Sequence, residues 1–207
     1  MPLIRSILLL GPTGSGKSPL GTELEKRGIL GKRVLHFDFG ENLRKAAQGA
    51  LHLSNEDKLL INNILKEARL LKPEEFYLAQ NILYSFLHHK HFDEADILVL
   101  NGLPRNLFQA TELESKIKVI LVINLTIDVK SLIIRLATDP AGDRIHREDD
   151  KLEYVRKKLK WFKKETLPLI EFYRERGANL VELPVEVYDN GFSLYQKLLT
   201  LLPRECI

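Results

Sequence analysis

The sequence predicts an α/β fold, a three-layer αβα domain around a five-stranded parallel sheet, on three observations. Five short apolar runs alternate with longer stretches of helical period, as successive βαβ units require. The first run leads directly into a glycine-rich loop, Gly11-Pro12-Thr13-Gly14-Ser15-Gly16-Lys17-Ser18, and a helical pattern follows it. No repeat, low-complexity tract or Pro/Gly linker divides the 207 residues, a length that suits one such domain.

The strands are expected at Ile4–Leu10, Arg33–Phe37, Ile97–Asn101, Lys118–Leu125 and Asn179–Leu183. Their near-continuous apolar character suits a parallel sheet covered on both faces. Helical patterns fill Lys17–Arg27, Glu41–Leu51, Glu56–Leu71, Pro73–His89, Leu107–Lys116, Val129–Ala137, Asp150–Arg176 and Gly191–Leu202. Two insertions interrupt this alternation. One, about residues 40–93, is almost entirely helical; the other, about residues 138–148, is polar and basic without apolar period, as in an exposed loop.

Composition narrows the function classes. Hydrophobic residues make up 44% and charged residues 29%, an ordinary globular balance. A net charge of +3 argues against a nucleic-acid partner, which calls for a concentrated basic face. The longest apolar runs, Ile7–Leu10 and Val119–Ile123, are too short for a bilayer span, so no membrane partner is expected. One arginine and a brief apolar stretch running into the glycine loop make a poor secretory signal. The single Cys206 permits no internal disulfide, which is compatible with a reducing cytoplasm.

The glycine loop matches G-x-x-x-x-G-K-[ST] in the strand–loop–helix setting that the phosphate-binding P-loop needs. Its glycines let consecutive backbone N–H groups turn inward onto phosphate oxygens, and the helix that follows brings its positive dipole end to the same point. Gly11, Thr13, Gly14, Ser15 and Gly16 are therefore expected to cradle the phosphates of ATP. Lys17 reaches its β- and γ-phosphates, and Ser18 helps to hold Mg²⁺, largely through water. The base-reading Asn-Lys-x-Asp of small GTPases and the Leu-Ser-Gly-Gly of transporter ATPases are both absent.

Three further segments decide among P-loop proteins. Asn101-Gly102-Leu103-Pro104-Arg105-Asn106-Leu107-Phe108-Gln109-Ala110 resembles the Asp-Gly-Phe-Pro-Arg-x-x-x-Gln-Ala motif of the adenylate kinase family. His36-Phe37-Asp38-Phe39-Gly40-Glu41-Asn42-Leu43-Arg44 resembles its His-x-Ser-x-Gly-Asp-x-Leu-Arg, and Thr166-Leu167-Pro168-Leu169-Ile170-Glu171-Phe172-Tyr173 its Thr-x-Pro-Leu-Ile-x-Tyr-Tyr. They occur in family order across nearly the whole chain.

The resemblance implies a monomeric nucleoside monophosphate kinase that moves the γ-phosphoryl group of ATP to AMP or a related monophosphate with Mg²⁺. The insertion at 40–93 would then be the acceptor-binding part and the loop at 138–148 a short, zinc-free lid. Arg44 and Arg105 both follow strand ends, where ligands sit in open α/β sheets, and two guanidinium forks can clamp one phosphate. Gly40, Leu71, Gly102 and Gln109 complete the acceptor site, the Gln109 amide suiting the N1/N6 edge of adenine. Arg135, Arg147, Arg156 and Lys158 are the cations expected around the donor and the transferring group, Arg135 also binding ATP. Lys157, Lys160, Lys163 and Lys164 read instead as a solvated helix face.

The chain departs from the family at several of these points. Ser18-Pro19 stands for Gly-Thr, Asn101 for the strand-end aspartate that organises the metal's water shell, and Glu41 for an aspartate. Asp139 takes the place of a second lid arginine, which Arg144 could replace, and Lys158 takes the place of a further arginine. Two rival readings stay open: a P-loop kinase of another small metabolite, and a nucleotide-binding protein with weak or no turnover. If Arg147 acts on the transferring group, Arg147→Ala lowers kcat roughly 10²- to 10⁴-fold with a much smaller change in KM. Steady-state kinetics decide it, and a loss below about threefold puts Arg147 on the solvated face.

Overall fold

A computed structural model describes residues 2–51, 53–142 and 152–202. Five strands, β1 (Ile4–Leu10), β2 (Val34–Asp38), β3 (Ile97–Asn101), β4 (Ile117–Thr126) and β5 (Asn179–Pro184), form one parallel sheet in the order β2-β3-β1-β4-β5. Side chains alternate along each strand, so the sheet feeds two cores. Leu8, Leu10, Leu98 and Leu100 enter one, with Phe37, Phe39, Ile82 and Leu169. Ile7, Leu9, Ile97 and Val99 enter the other, with Leu20, Leu24, Leu194 and Leu198. Both faces are thus covered, which explains why the strands read as unbroken apolar runs.

The helices over the second core are α1 (Lys17–Arg27) and α9 (Gly191–Leu201). The other face carries α2 (Phe39–Ala47), α3 (Asn55–Glu67), α4 (Phe76–His89), α5 (Leu107–Leu113) and α8 (Leu169–Arg174). Helices α6 (Val129–Thr138) and α7 (Leu152–Trp161) lie beyond β4 in sequence. No helix among the described residues is long and apolar enough to cross a membrane.

Among the boundaries that differ from the sequence reading, three have a clear local reason. Helix α2 starts two residues early because the Asp38 carboxylate caps it, accepting the Glu41 N–H at 3.0 Å. Helix α3 stops at Ala68, which takes a left-handed φ of 47°, so Arg69–Leu71 leave the helix. The long helix expected over 150–176 is broken. A π-turn at Phe162–Thr166 precedes Pro168, which has no N–H to continue the ladder, and α8 begins afresh at Leu169.

The turn from α3 to α4 is set by a forked ion pair. Arg69 donates Nη1 to Glu75 Oε2 at 2.6 Å and Nη2 to Glu75 Oε1 at 2.8 Å, and Oε2 also accepts the Lys72 N–H at 2.8 Å. Glu75 is buried. The Arg69 hydrogen bonds hold its carboxyl below the ordinary range, against the opposing push of burial. A lowered folded-state pKa gives stabilisation that is complete above the unfolded value, about 4.3, and is lost as pH falls through the folded value. Glu75→Gln is therefore expected to destabilise the protein by roughly 1–3 kcal/mol at pH 7, a fall in Tm of roughly 3–10 °C. The Tm difference from wild type should be full above about pH 5 and narrow progressively as pH falls below about 4.3. A pH-independent difference in melting curves contradicts this account of the turn.

Candidate functional site

The carboxyl ends of β1, β2 and β3 meet the amino ends of α1 and α2, and the glycine loop spans the gap. Gly14 and Gly16 take left-handed φ values of 85° and 96°, and a Cβ on Gly16 would come 2.7 Å from Leu194 Cδ1. Only glycine fits there. Gly16 is also the N-cap of α1 and provides no side chain to cap it, whereas Asp38, Ser54, Asn106, Asp128 and Asn190 cap five other helices. The first N–H groups of α1 thus remain available for an anion. Pro19 falls in that first turn, where its missing N–H leaves no bond unmade.

Lys17 folds back over the loop, donating Nζ to the carbonyls of Gly11 at 2.6 Å and Pro12 at 2.8 Å. The ammonium is thereby held over the loop. Beside it, Ser18 Oγ donates to Asp38 Oδ2 at 2.5 Å. Asn101 Nδ2 reaches both Asp38 Oδ2 at 2.9 Å and Ser18 Oγ at 3.1 Å. His36 packs beneath, its Nε2 3.4 Å from Asn101 Nδ2 and close enough to α1 that a Cβ on Gly21 would lie 2.2 Å away. Burial pushes its pKa down, against the charges of Asp38, Glu25 and Glu41, and a neutral ring can accept the Asn101 amide proton.

These groups line an open cleft of about 1150 Å³, its mouth included. Gly11, Thr13, Gly14, Gly16, Lys17 and Ser18 form one end. Gly40, Arg44, Gly102, Arg105 and Lys158 form the other, with Trp161, Phe162 and Thr166. Among its described lining residues are five cations, Lys17, Arg44, Arg105, Arg135 and Lys158, against two carboxylates, Asp38 and Asp139. That balance suits a polyanion. The described residues hold no group of three His, Cys, Asp or Glu side chains able to take a metal alone. Ser18 offers a hard oxygen donor, which fits a Mg²⁺ ion that arrives with nucleotide phosphates and keeps several waters.

A second pocket of about 640 Å³ opens from the cleft and shares Gly40, Arg44, Leu70, Gly102, Arg105 and Lys158 with it. Leu71 and Gln109 complete its wall with Phe39, Leu43, Ile64 and Leu65. Gln109 is buried, and its Oε1 accepts the Arg105 backbone N–H at 2.8 Å. Arg105 Nε donates to the Gly102 carbonyl at 3.0 Å, and the Thr166 hydroxyl donates to the Arg105 carbonyl at 2.8 Å. Gly102 has φ 81°, a second backbone position that needs glycine.

Most residues singled out from the sequence therefore share one continuous space, with particular exceptions. Ser15 is fully buried with its hydroxyl unpartnered among the described residues, and it lines neither pocket. Arg156 is exposed on α7 and lines neither. Arg144 and Arg147 lie outside the described residues. Arg135 is buried: its Nη1 donates to the carbonyls of Glu186, Val187 and Asp189 at 2.7, 3.0 and 2.8 Å, and its Nε to Gly14 at 3.2 Å. It ties the glycine loop to the β5–α9 connection. Sequence reasoning did not single out Asp38 or Thr166; for Asp38 the signal was a carboxylate at the end of β2, where the resembling motif has serine.

The family model of adenylate kinase matches residues 9–178. An adenylate kinase of Xanthomonas campestris pv. campestris (strain 8004) is 31% identical over 178 residues, covering 83% of this chain and 86% of its own. One from Stenotrophomonas maltophilia (strain R551-3) is 30% identical over 180 residues, and one from Rickettsia conorii 27% over 198, each covering 83% of this chain and 87% of its own. Among solved structures, an unliganded sugar kinase from Janibacter sp. HTCC2649 superposes with a TM-score of 0.53 at 14% identity, covering 97% of this chain and 94% of that one. That likeness bears on the fold alone. With the sheet order, the glycine loop and the match over residues 9–178, this chain belongs to the adenylate kinase family, as a divergent member.

Proposed function

We propose that the protein transfers the γ-phosphoryl group of ATP to a nucleoside monophosphate, with AMP as the favoured acceptor and Mg²⁺ as cofactor. The observation that carries this reading is the continuity of the two pockets. A phosphate-binding loop opens onto a cleft that leads, past Arg44 and Arg105, into a largely apolar pocket with one buried amide. That sequence of environments matches donor phosphates, acceptor phosphate and acceptor base in turn. One chain supplies both walls, which supports a monomer.

The glycine loop and the free end of α1 hold the β- and γ-phosphates, with Lys17 exchanging its two loop carbonyls for phosphate oxygens. Arg135 braces the loop in shape against the β5–α9 connection. Arg44 and Arg105 clamp the acceptor phosphate, and the Gln109 amide faces its base. An acceptor phosphate oxygen attacks the γ-phosphorus, the bond to the β–γ bridging oxygen breaks, and two nucleoside diphosphates result. The attacking oxygen is already ionised, so alignment and charge neutralisation carry the catalysis and no general base is needed. Mg²⁺, when bound with nucleotide at Ser18, neutralises charge on the phosphate oxygens. Lys158, at the junction of both pockets, adds a point charge where the family pattern has a fork.

Purified protein given ATP, Mg²⁺ and a panel of nucleoside monophosphates should convert AMP fastest, read by coupled ADP detection. ATP binding with no transfer to any monophosphate would overturn the reading. Lys17→Ala should abolish transfer while circular dichroism stays unchanged; wild-type turnover in that variant removes the loop from the mechanism. Gln109→Ala should weaken AMP by roughly 1–3 kcal/mol of transition-state binding and leave ATP nearly unaffected. Because Gln109 also supports Arg105, the telling readout is base selectivity. The ratio of kcat/KM for AMP over the other monophosphates should fall, and an unchanged ratio shows that Gln109 does not read the base.

A further inference from the structure

Two departures from the family motifs are neighbours in space. Asp38 ends β2 where the resembling motif carries serine, and Asn101 ends β3 where it carries aspartate. The two strands pair in register with Asp38 opposite Asn101. We infer that these changes are one exchange: the carboxylate that anchors the water shell of the nucleotide-bound divalent cation has moved across one strand, with Asp38 as the anchor and Asn101 as its positioning residue. The inference rests on the phosphotransfer reading above and deepens it.

The hydrogen bonds set Asp38 up for this role. Its Oδ1 is fixed by the Glu41 N–H at 3.0 Å, so the side chain cannot swing away without uncapping α2. Its Oδ2 accepts the Ser18 proton at 2.5 Å, which leaves that hydroxyl oxygen to act as an acceptor at the edge of the cleft that both residues line. A P-loop hydroxyl beside a strand-end carboxylate is the pair that P-loop enzymes use to hold Mg²⁺. Oxygen donors of this kind, few in number and joined by phosphates and water, suit that hard ion.

Asn101 explains why the two paired strand ends carry one carboxylate between them. An aspartate there would set two like charges within hydrogen-bond distance and disfavour ionisation of one of them. The amide turns that repulsion into a donor, reaching Asp38 Oδ2 at 2.9 Å and Ser18 Oγ at 3.1 Å, and it is itself buried. Outer-shell partners of this kind orient the groups that meet a metal or its waters. The loss of the usual aspartate is therefore compensated.

The test reads metal affinity directly, with Mn²⁺ as the probe and the β,γ-imido analogue of ATP as a nucleotide that cannot transfer its phosphoryl group. Free Mn²⁺ is followed by electron paramagnetic resonance in titrations of the full chain with that nucleotide. The wild-type complex should hold Mn²⁺ roughly 10- to 100-fold more tightly than the Asp38→Asn complex. Affinity for the metal-free nucleotide should change by less than about threefold, because no phosphate contact is lost. Asparagine is as good an N-cap as aspartate, so α2 should persist, which circular dichroism checks. Asn101→Asp added to Asp38→Asn should restore Mn²⁺ affinity by returning a carboxylate to β3.

Equal Mn²⁺ affinity in wild type and Asp38→Asn, to within about twofold, overturns the exchange, and so does a wild type whose nucleotide affinity is indifferent to the metal. If Asp38→Asn loses transfer but keeps Mn²⁺ affinity, Asp38 acts on the acceptor; the exchange falls and the transfer reading stands. If wild type transfers to no monophosphate while Asp38→Asn still loses Mn²⁺, the exchange stands and the monophosphate reading falls.

Discussion

The uncapped amino end of α1 leaves backbone N–H groups pointing into a cleft at the carboxyl edge of the sheet, and the rest of the site follows from serving them. Orphan donors at a helix start need an anion or water. A polyphosphate that satisfies them brings several negative charges, so the cleft collects Lys17, Arg44, Arg105, Arg135 and Lys158. Like charges so close together would repel in an empty cleft. The structure handles this by giving Arg105 one carbonyl partner, Gly102, and two others several: Gly11 and Pro12 for Lys17, and Glu186, Val187 and Asp189 for Arg135. Partial negative charge on those carbonyls offsets the cations without adding a carboxylate that would compete for them.

Those two cations are held in different ways, and the difference separates their roles. Lys17 has a flexible stem and donates to two carbonyls of its own loop, which phosphate oxygens could replace without moving the backbone. Arg135 has a buried planar fork bound at one nitrogen by three carbonyls from the β5–α9 connection and at another by Gly14. Moving it would break its hydrogen bonds to four carbonyls and leave the buried one of Asp189 without this donor, at a cost of about 1–3 kcal/mol. A group so held shapes the loop from below. Lys158 and Arg156 sit two residues apart on α7, yet only Lys158 lines the cleft, as a helix turning about 100° per residue dictates for that spacing.

The fold was largely legible because parallel strands buried on both faces leave unbroken apolar runs. Strands β1 and β3 and helix α1 lie where the sequence placed them, and the glycine loop was legible because its chemistry is local. What could not be read depended on distant partners. Asp38 acquires its meaning from Ser18, 20 residues away, and from Asn101, 63 away. Arg135 was read as a phosphate ligand of the lid region, and its carbonyl partners lie 51 to 54 residues further on. The break at Pro168 was visible as a proline, but its consequence depends on Thr166 turning its hydroxyl to Arg105, 61 residues away.

That last contact ties the acceptor side into one unit. Gly102, Arg105 and Gln109 are joined by Arg105 Nε to the Gly102 carbonyl and by the Arg105 N–H to Gln109 Oε1, with Asn106 capping α5 between them. Under the transfer reading proposed above, a ligand phosphate on Arg105 and a base at Gln109 would act on the same short turn. Because the Gln109 oxygen already holds one backbone N–H, the position of that oxygen is fixed before any ligand arrives. On that reading, phosphate and base recognition would be coupled through one backbone hydrogen bond of 2.8 Å. Thr166 adds the third link, from the π-turn after α7 to the Arg105 carbonyl, so the helix that carries Lys158 is anchored to the turn that carries Arg105. Preorganisation of this kind lowers the ordering that binding must still supply, and on the proposed reading a chain of fixed contacts would hold the acceptor's reacting oxygen relative to the donor loop.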